Sequence, residues 1–245
     1  MKVAAIIPAF DAARSVGDVV RGTREAFAAE LARGDAAVYV VDDGSSDDTR
    51  ALAESAGAIV VFHEQNRGKG AAIRTGLARA AADGFDAAVT LDADGQHPPV
   101  EAARLARLRV SAPALVLGIR DLRGAGAPRP NQISNAISNG FLSLFSRTRL
   151  HDTQCGLRRY PLPRALELGG NDDGYAFEAE IILLAIAAGV PVVEEPIEVV
   201  YPEDRTTHFD SVRDPMRVVR RVVRTLVRTR GITRPARVSR GTVGS

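Results

Sequence analysis

The chain has 245 residues, 45% hydrophobic and 25% charged, with 32 Lys and Arg against 30 Asp and Glu, for a net charge of +2. That composition excludes a disordered or fibrous protein and predicts one soluble α/β domain with a substantial core. A single cysteine, Cys155, excludes an internal disulfide and is read as a small packed residue.

In chain order, short Val- and Ile-rich runs ("KVAAII", "AAVYVV", "AIVVF", "DAAVTL", "PALVLGI") alternate with stretches of helical spacing near 14–32, 48–56, 69–82 and 99–109. Alternation of this kind predicts a mostly parallel sheet covered by helices on both faces, with its ligand at the carboxyl ends of the strands. Acids fall at those ends: Asp42 and Asp43 after "VYVV", Asp92 and Asp94 after "AAVTL". Beyond residue 120 the rhythm weakens. "RDLRGAGAPRPNQ" reads as a flexible loop, helices are expected near 131–146 and 175–188, and "VPVVEEPIEVVY" is strand-like. The stretch 211–230 sets seven arginines among Met, Val and Leu at near-helical spacing and reads as a basic amphipathic helix. Residues 231–245 read as a disordered tail.

No segment approaches the roughly 20 apolar residues that cross a bilayer, and the N-terminus lacks a signal-peptide pattern, so a cytoplasmic protein is expected. The basic final third hints at an anionic partner, membrane or nucleic acid.

Three motifs carry possible chemistry. In "TLDADGQHPP" the side chains of Asp92, Asp94 and Gln96 would converge if the segment were extended, and an oxygen-only set suits Mg²⁺ or Mn²⁺. A polar turn before Pro98 and Pro99 explains the same residues without a metal. In "VVDDGSSDDT", Ser45, Ser46, Asp47 and Asp48 are available as helix caps, whereas Asp42 and Asp43 precede the turn and suit ribose hydroxyls or base N–H groups. In "NRGKGAAIRTG", Arg67 and Lys69 reach a helix start where phosphate is favoured, although a glycine-eased helix entry explains it equally. It has neither P-loop nor G-x-G-x-x-G spacing, which excludes the common NTPase and dinucleotide folds.

Together with "IIPAFDA", "LGIRD", "HDTQCGLRRY", "GYAFEAEI" and "VEEPIEV", these motifs stand in the order seen in family 2 glycosyltransferases of the polyprenyl-phosphate mannosyltransferase type. The chain resembles that family over about residues 3–210. The resemblance implies a GT-A catalytic domain over 1–210 that takes a hexose from GDP-mannose or a UDP-sugar, with inversion, to a polyprenyl phosphate. It implies Pro8, Ala9, Asp42, Asp43, Lys69, Asp92, Ala93, Arg120, Arg129 and Arg205 around the nucleotide sugar. Asp92, Asp94 and Gln96 would hold Mg²⁺ or Mn²⁺, and Asp94 and Asp152 would be the catalytic carboxylates, Asp152 near the acceptor as a general base or a positioning group. Glu180 matches a family acid with a structural role. The chain departs from the family in having Ala12 where relatives have a nucleotide-contacting Glu, and "RTTHF" where relatives carry a phosphate-facing Lys, with His208 as the candidate substitute. With a phosphate acceptor the basic end is expected to meet an anionic membrane, peripherally at its inner face, and no nucleic acid. A hydroxyl acceptor and an inactive nucleotide-sugar or membrane-binding module are the competing readings.

Overall fold

The computed structural model describes residues 1–110 and 112–200 and the backbone of residues 238–240. Its elements begin β1 (Val3–Ala9), α1 (Val16–Ala26), α2 (Ala28–Ala32), β2 (Ala36–Asp42), α3 (Thr49–Ser55), β3 (Ile59–Phe62), α4 (Lys69–Ala82), β4 (Ala87–Thr90) and α5 (Pro99–Arg107). They continue with β5 (Leu115–Arg120), α6 (Arg129–Ser146), β6 (Arg158–Pro161), α7 (Arg164–Glu167), α8 (Ala176–Ala187), β7 (Val192–Ile197) and β8 (Val238–Arg240).

The strands form one sheet in the order β3-β2-β1-β4-β6-β5-β7-β8. Only β6 runs antiparallel, between β4 and β5; the other pairs are parallel. A strand buried on both faces alternates between two cores. Ala4 and Ile6 of β1 pack with Ile73 and Leu77 of α4 and with α8, while Val3, Ala5 and Ile7 pack with Val16 and Val20 of α1 and Leu105 of α5.

Three features depart from the sequence expectation. The antiparallel β6 has no Val or Ile and was not anticipated. Helix α6 begins at Arg129, inside the expected loop, because Pro128 and Pro130 fix φ for a first turn that needs no N–H partner. Residues 238–240, within the expected tail, pair with β7. The expected helix 211–230 lies outside the described residues.

Candidate active site

Parallel pairing brings the carboxyl ends of β1, β2 and β4 to one edge of the sheet. A cleft of about 440 Å³ opens there, and its lining includes Pro8, Ala9, Asp43, Lys69, Asp92, Ala93, Asp94, Gln96 and Arg120.

The turn after β4 is built differently from the sequence expectation. Residues 93–94 turn, Gly95 has φ +75°, and the Gln96 N–H donates to Asp94 Oδ1 at 3.0 Å, so the segment is not extended. Asp92, Asp94 and Gln96 meet in the cleft because the chain curls, not because alternate side chains point one way. Gly156 makes room for Asp92, since a Cβ there would lie 2.5 Å from Asp92 Oδ2.

Lys69, the first residue of α4, reaches Asp92 Oδ1 at 2.7 Å and Glu178 Oε1 of α8 at 3.1 Å. Burial opposes the ammonium charge, but Asp92 and Glu178 outweigh it and raise the Lys69 pKa. Burial likewise opposes the Asp92 charge, yet Lys69 and then His97 hold it down at about 2. Asp94 is pushed up to about 6, by burial first and then by the charge of Asp92. His97, almost wholly buried, is pushed down to about 4 by burial, and its Nδ1 stands 3.8 Å from Asp92 Oδ2.

Asp152 lies in the loop before β6 with its side chain fully buried. Arg120, the last residue of β5, donates to both its oxygens, Nε to Oδ2 at 2.7 Å and Nη2 to Oδ1 at 3.0 Å, in a bidentate pair. The inner face of α6 supports the same loop. Ser138 Oγ lies 2.8 Å from Thr153 Oγ1, and Asn139 Oδ1 accepts the Thr153 N–H at 2.8 Å.

The two acids after β2 divide. Asp43 lines the cleft, but its carboxylate accepts the N–H groups of Arg67 and Gly68, at 3.0 and 2.7 Å, and meets His63 Nδ1 at 2.5 Å. It therefore holds the loop that delivers Lys69. Asp42 is buried outside the cleft lining and accepts the Ser45 N–H at 3.0 Å. Of the two, Asp43 alone lines the cleft, and both of its oxygens are already engaged by the loop. Arg129 is exposed on the first turn of α6 and is not part of the cleft lining, so the structure does not bring it to the site. Arg67 is likewise exposed outside the lining. Ala12 lines the cleft, while Arg205 and His208 lie outside the described residues. Glu180 accepts the N–H groups of Asn171 and Asp172 at 2.9 and 2.8 Å, the structural task expected of it.

Sequence reasoning missed Glu178 and His97. The signal for Glu178 was its place two residues before Glu180 in "FEAE"; that for His97 was adjacency to Gln96.

A divalent cation is implied by the fold family, and the donor chemistry fits one. Two carboxylates and an amide line one cleft, and Asp94 is held above its ordinary pKa by burial and then by the negative charge of Asp92, which a cation would offset. Among the described residues, no three His, Cys, Asp or Glu side chains are grouped to hold an ion alone. Water or diphosphate oxygens would complete its shell, the usual manner for Mg²⁺.

The model of the glycosyl transferase family 2 matches residues 4–161. The chain is 31% identical over 172 residues to a polyprenol monophosphomannose synthase of Mycolicibacterium smegmatis, covering 65% of each protein. It is 29% identical over 215 residues to an undecaprenyl-phosphate mannosyltransferase of Micrococcus luteus, covering 83% of this chain and 85% of that one. Among solved structures, glucosyl-3-phosphoglycerate synthase from Mycobacterium tuberculosis, crystallised with Mn²⁺, UDP and phosphoglyceric acid, superposes with a TM-score of 0.71. That match has 20% identity and covers 95% of this chain and 80% of that one, a likeness of fold. A mostly parallel sheet with its acidic cleft at the strand ends is thus the expected GT-A fold, and the chain is a glycosyltransferase that belongs to family 2.

Proposed function

We propose that the protein moves a hexose from a nucleotide-diphosphate sugar, GDP-mannose or a UDP-sugar, to a polyprenyl phosphate, with inversion and with help from a divalent metal. The observation that carries this reading is the single cleft that gathers Asp92 and Asp94 with Lys69 and Arg120. Acids for a cation and bases for phosphate there match the two charges of a metal-bound diphosphate.

An oxygen of the acceptor phosphate attacks the anomeric carbon from the face opposite the diphosphate. The new C–O bond forms as the bond to the β-phosphate oxygen breaks, and that oxygen keeps the electron pair. Lys69 and Arg120, which line the same cleft, would meet the growing charge, with Arg120 held by Asp152. A cation held by Asp92, Asp94 and Gln96 would supply the remaining charge stabilisation. Both Asp152 oxygens are engaged by Arg120, which suits a positioning residue rather than a free base. A phosphate acceptor, largely ionised at pH 7 because its second pKa is about 6, needs no base. The names of the mycobacterial and Micrococcus relatives point to the same acceptor class. Contact with the inner membrane face, peripherally and through the basic stretch 211–230, belongs to this proposal. No described helix is long and apolar enough to cross a membrane.

The test offers GDP- and UDP-sugars with Mn²⁺ to the full chain, in parallel with a short polyprenyl phosphate and the matching polyprenol, and reads released nucleoside diphosphate. Release is expected with the phosphate and not the alcohol, and EDTA should abolish it. Transfer to the alcohol alone would replace the acceptor class, and full activity in EDTA would remove the metal.

A further inference from the structure

We infer that the outward face of α6 is a docking surface for an anionic lipid bilayer. Helix α6 carries apolar side chains on two sides: Phe141, Leu142 and Phe145 pack on the core, and a second set faces solvent. Its buried residues are Ser134, Asn135, Ser138, Leu142 and Ser146, four of the five polar, whereas Ile133, Ile137 and Leu144 are 60%, 55% and 71% exposed. Those three fall at i, i+4 and i+11, one stripe of the helix, with exposed Ala136 and Gly140 beside it. An apolar stripe turned to solvent, on a helix whose Phe141, Leu142 and Phe145 already pack on the core, calls for a partner outside the domain.

The charges around the stripe select the partner. Residues 122–151 contain no Asp or Glu, and Arg123, Arg129, Arg147 and Arg149 are all exposed. A second copy meeting this face symmetrically would set arginines against arginines. A bilayer with anionic headgroups meets both features at once, accepting the Ile and Leu side chains below the headgroups and pairing the guanidinium groups at their level.

The location gives the docking its use. The cleft lining includes Asn131 and Ser138 of α6, so the helix separates the candidate bilayer face from the site. A lipid-borne phosphate would have only the thickness of this helix to pass. That use rests on the proposed acceptor, while the docking itself does not.

The experiment is flotation of the full chain with vesicles of phosphatidylcholine alone and of phosphatidylcholine with phosphatidylglycerol. Wild type should float with the anionic vesicles. The triple variant Ile133→Gln, Ile137→Gln, Leu144→Gln should lose about tenfold in partitioning, and each of Arg147→Gln and Arg149→Gln about fivefold. The triple variant should keep its turnover with a short, water-soluble polyprenyl phosphate, its solution mass and its melting temperature. Flotation equal to wild type would overturn the inference. A fall in solution mass would assign the face to a second copy, and a fall in melting temperature would assign it to a segment of the chain itself. If wild type floats through this face yet transfers sugar to the alcohol alone, the acceptor reading fails and the docking surface stands.

Discussion

Asp92, Asp94 and Asp152 share a chemistry and differ in what surrounds them. Lys69 neutralises Asp92 and Arg120 clamps Asp152, whereas Asp94 is buried beside a like charge, and burial first and then Asp92 raise its pKa. Without metal, Asp94 and His97 act oppositely on stability. Between pH 6 and pH 4 the folded chain keeps a proton on Asp94 that the unfolded chain, near 3.8, has released, so this residue favours folding on acidification. Over the same window the unfolded chain binds a proton on His97 that the folded chain, near 4, refuses, so that residue disfavours folding. Asp94→Asn removes only the first effect. In EDTA the variant should be more stable than wild type at pH 7, by about 3 kcal/mol, and the advantage should fade as pH drops from 6 to 4. Urea unfolding across that range measures it, and an advantage that does not vary with pH would show that Asp94 is not held protonated. The positions of Asp92 and Asp94 were legible in the sequence because they follow an apolar strand, whereas Asp152, in the loop between α6 and β6, was reached only through the family resemblance. The partners of these acids were not legible, since Lys69 and Glu178 are separated from Asp92 by loops whose closure no local pattern encodes.

The elements readable from sequence were those whose residues match a period, and α4 at 69–82 coincides with its expected span. Strand β6 was hidden by Arg158 and Arg159, which look like surface residues. In place, they point to opposite faces of the sheet and use buried guanidinium groups to satisfy carbonyl oxygens. Arg159 Nη1 donates to Leu105 O at 3.0 Å and Leu108 O at 2.7 Å, satisfying the last carbonyls of α5. Arg158, fully buried, donates to Cys155 O at 2.8 Å, Thr153 O at 2.8 Å and Glu178 O. One side chain thus ties the Asp152 loop to the helix that carries Glu178. Arg158→Met would leave three buried carbonyls without this donor, each worth about 1 kcal/mol or more, so a loss of about 4 kcal/mol is expected in urea unfolding. Arg158→Lys should recover less than half, because one ammonium does not span three acceptors set around a planar fork. Near-complete recovery by Lys would mean that charge, and not the fork, matters at this position.

At the scale of the whole molecule, alternation of strand and helix foretold that the parallel strands would open one ligand edge, since each right-handed crossover returns the chain in the same direction. The strand order was beyond that rule, because the antiparallel β6 separates β4 from β5. The far edge raises a last question of cooperativity. Strand β7 carries Glu194, which accepts the His151 N–H at 2.8 Å, and Glu195, which pairs with Arg104, so the strand anchors both the Asp152 loop and α5. Its outer edge is covered by β8 in parallel register, Val192 opposite Val238 and Glu194 opposite Arg240. Removal of residues 238–245 would leave that edge without its ladder and lose a few backbone hydrogen bonds, each contributing about 1 kcal/mol. For a chain of this size, 1 kcal/mol shifts the melting temperature by about 2–4 °C, so the truncated protein should melt about 5 °C lower while still unfolding in one transition. An unchanged melting temperature would mean that the end of the chain behaves as the tail its Gly, Thr and Ser content suggests. A second, early transition would mean that β7 and the loop it anchors unfold apart from the rest of the sheet.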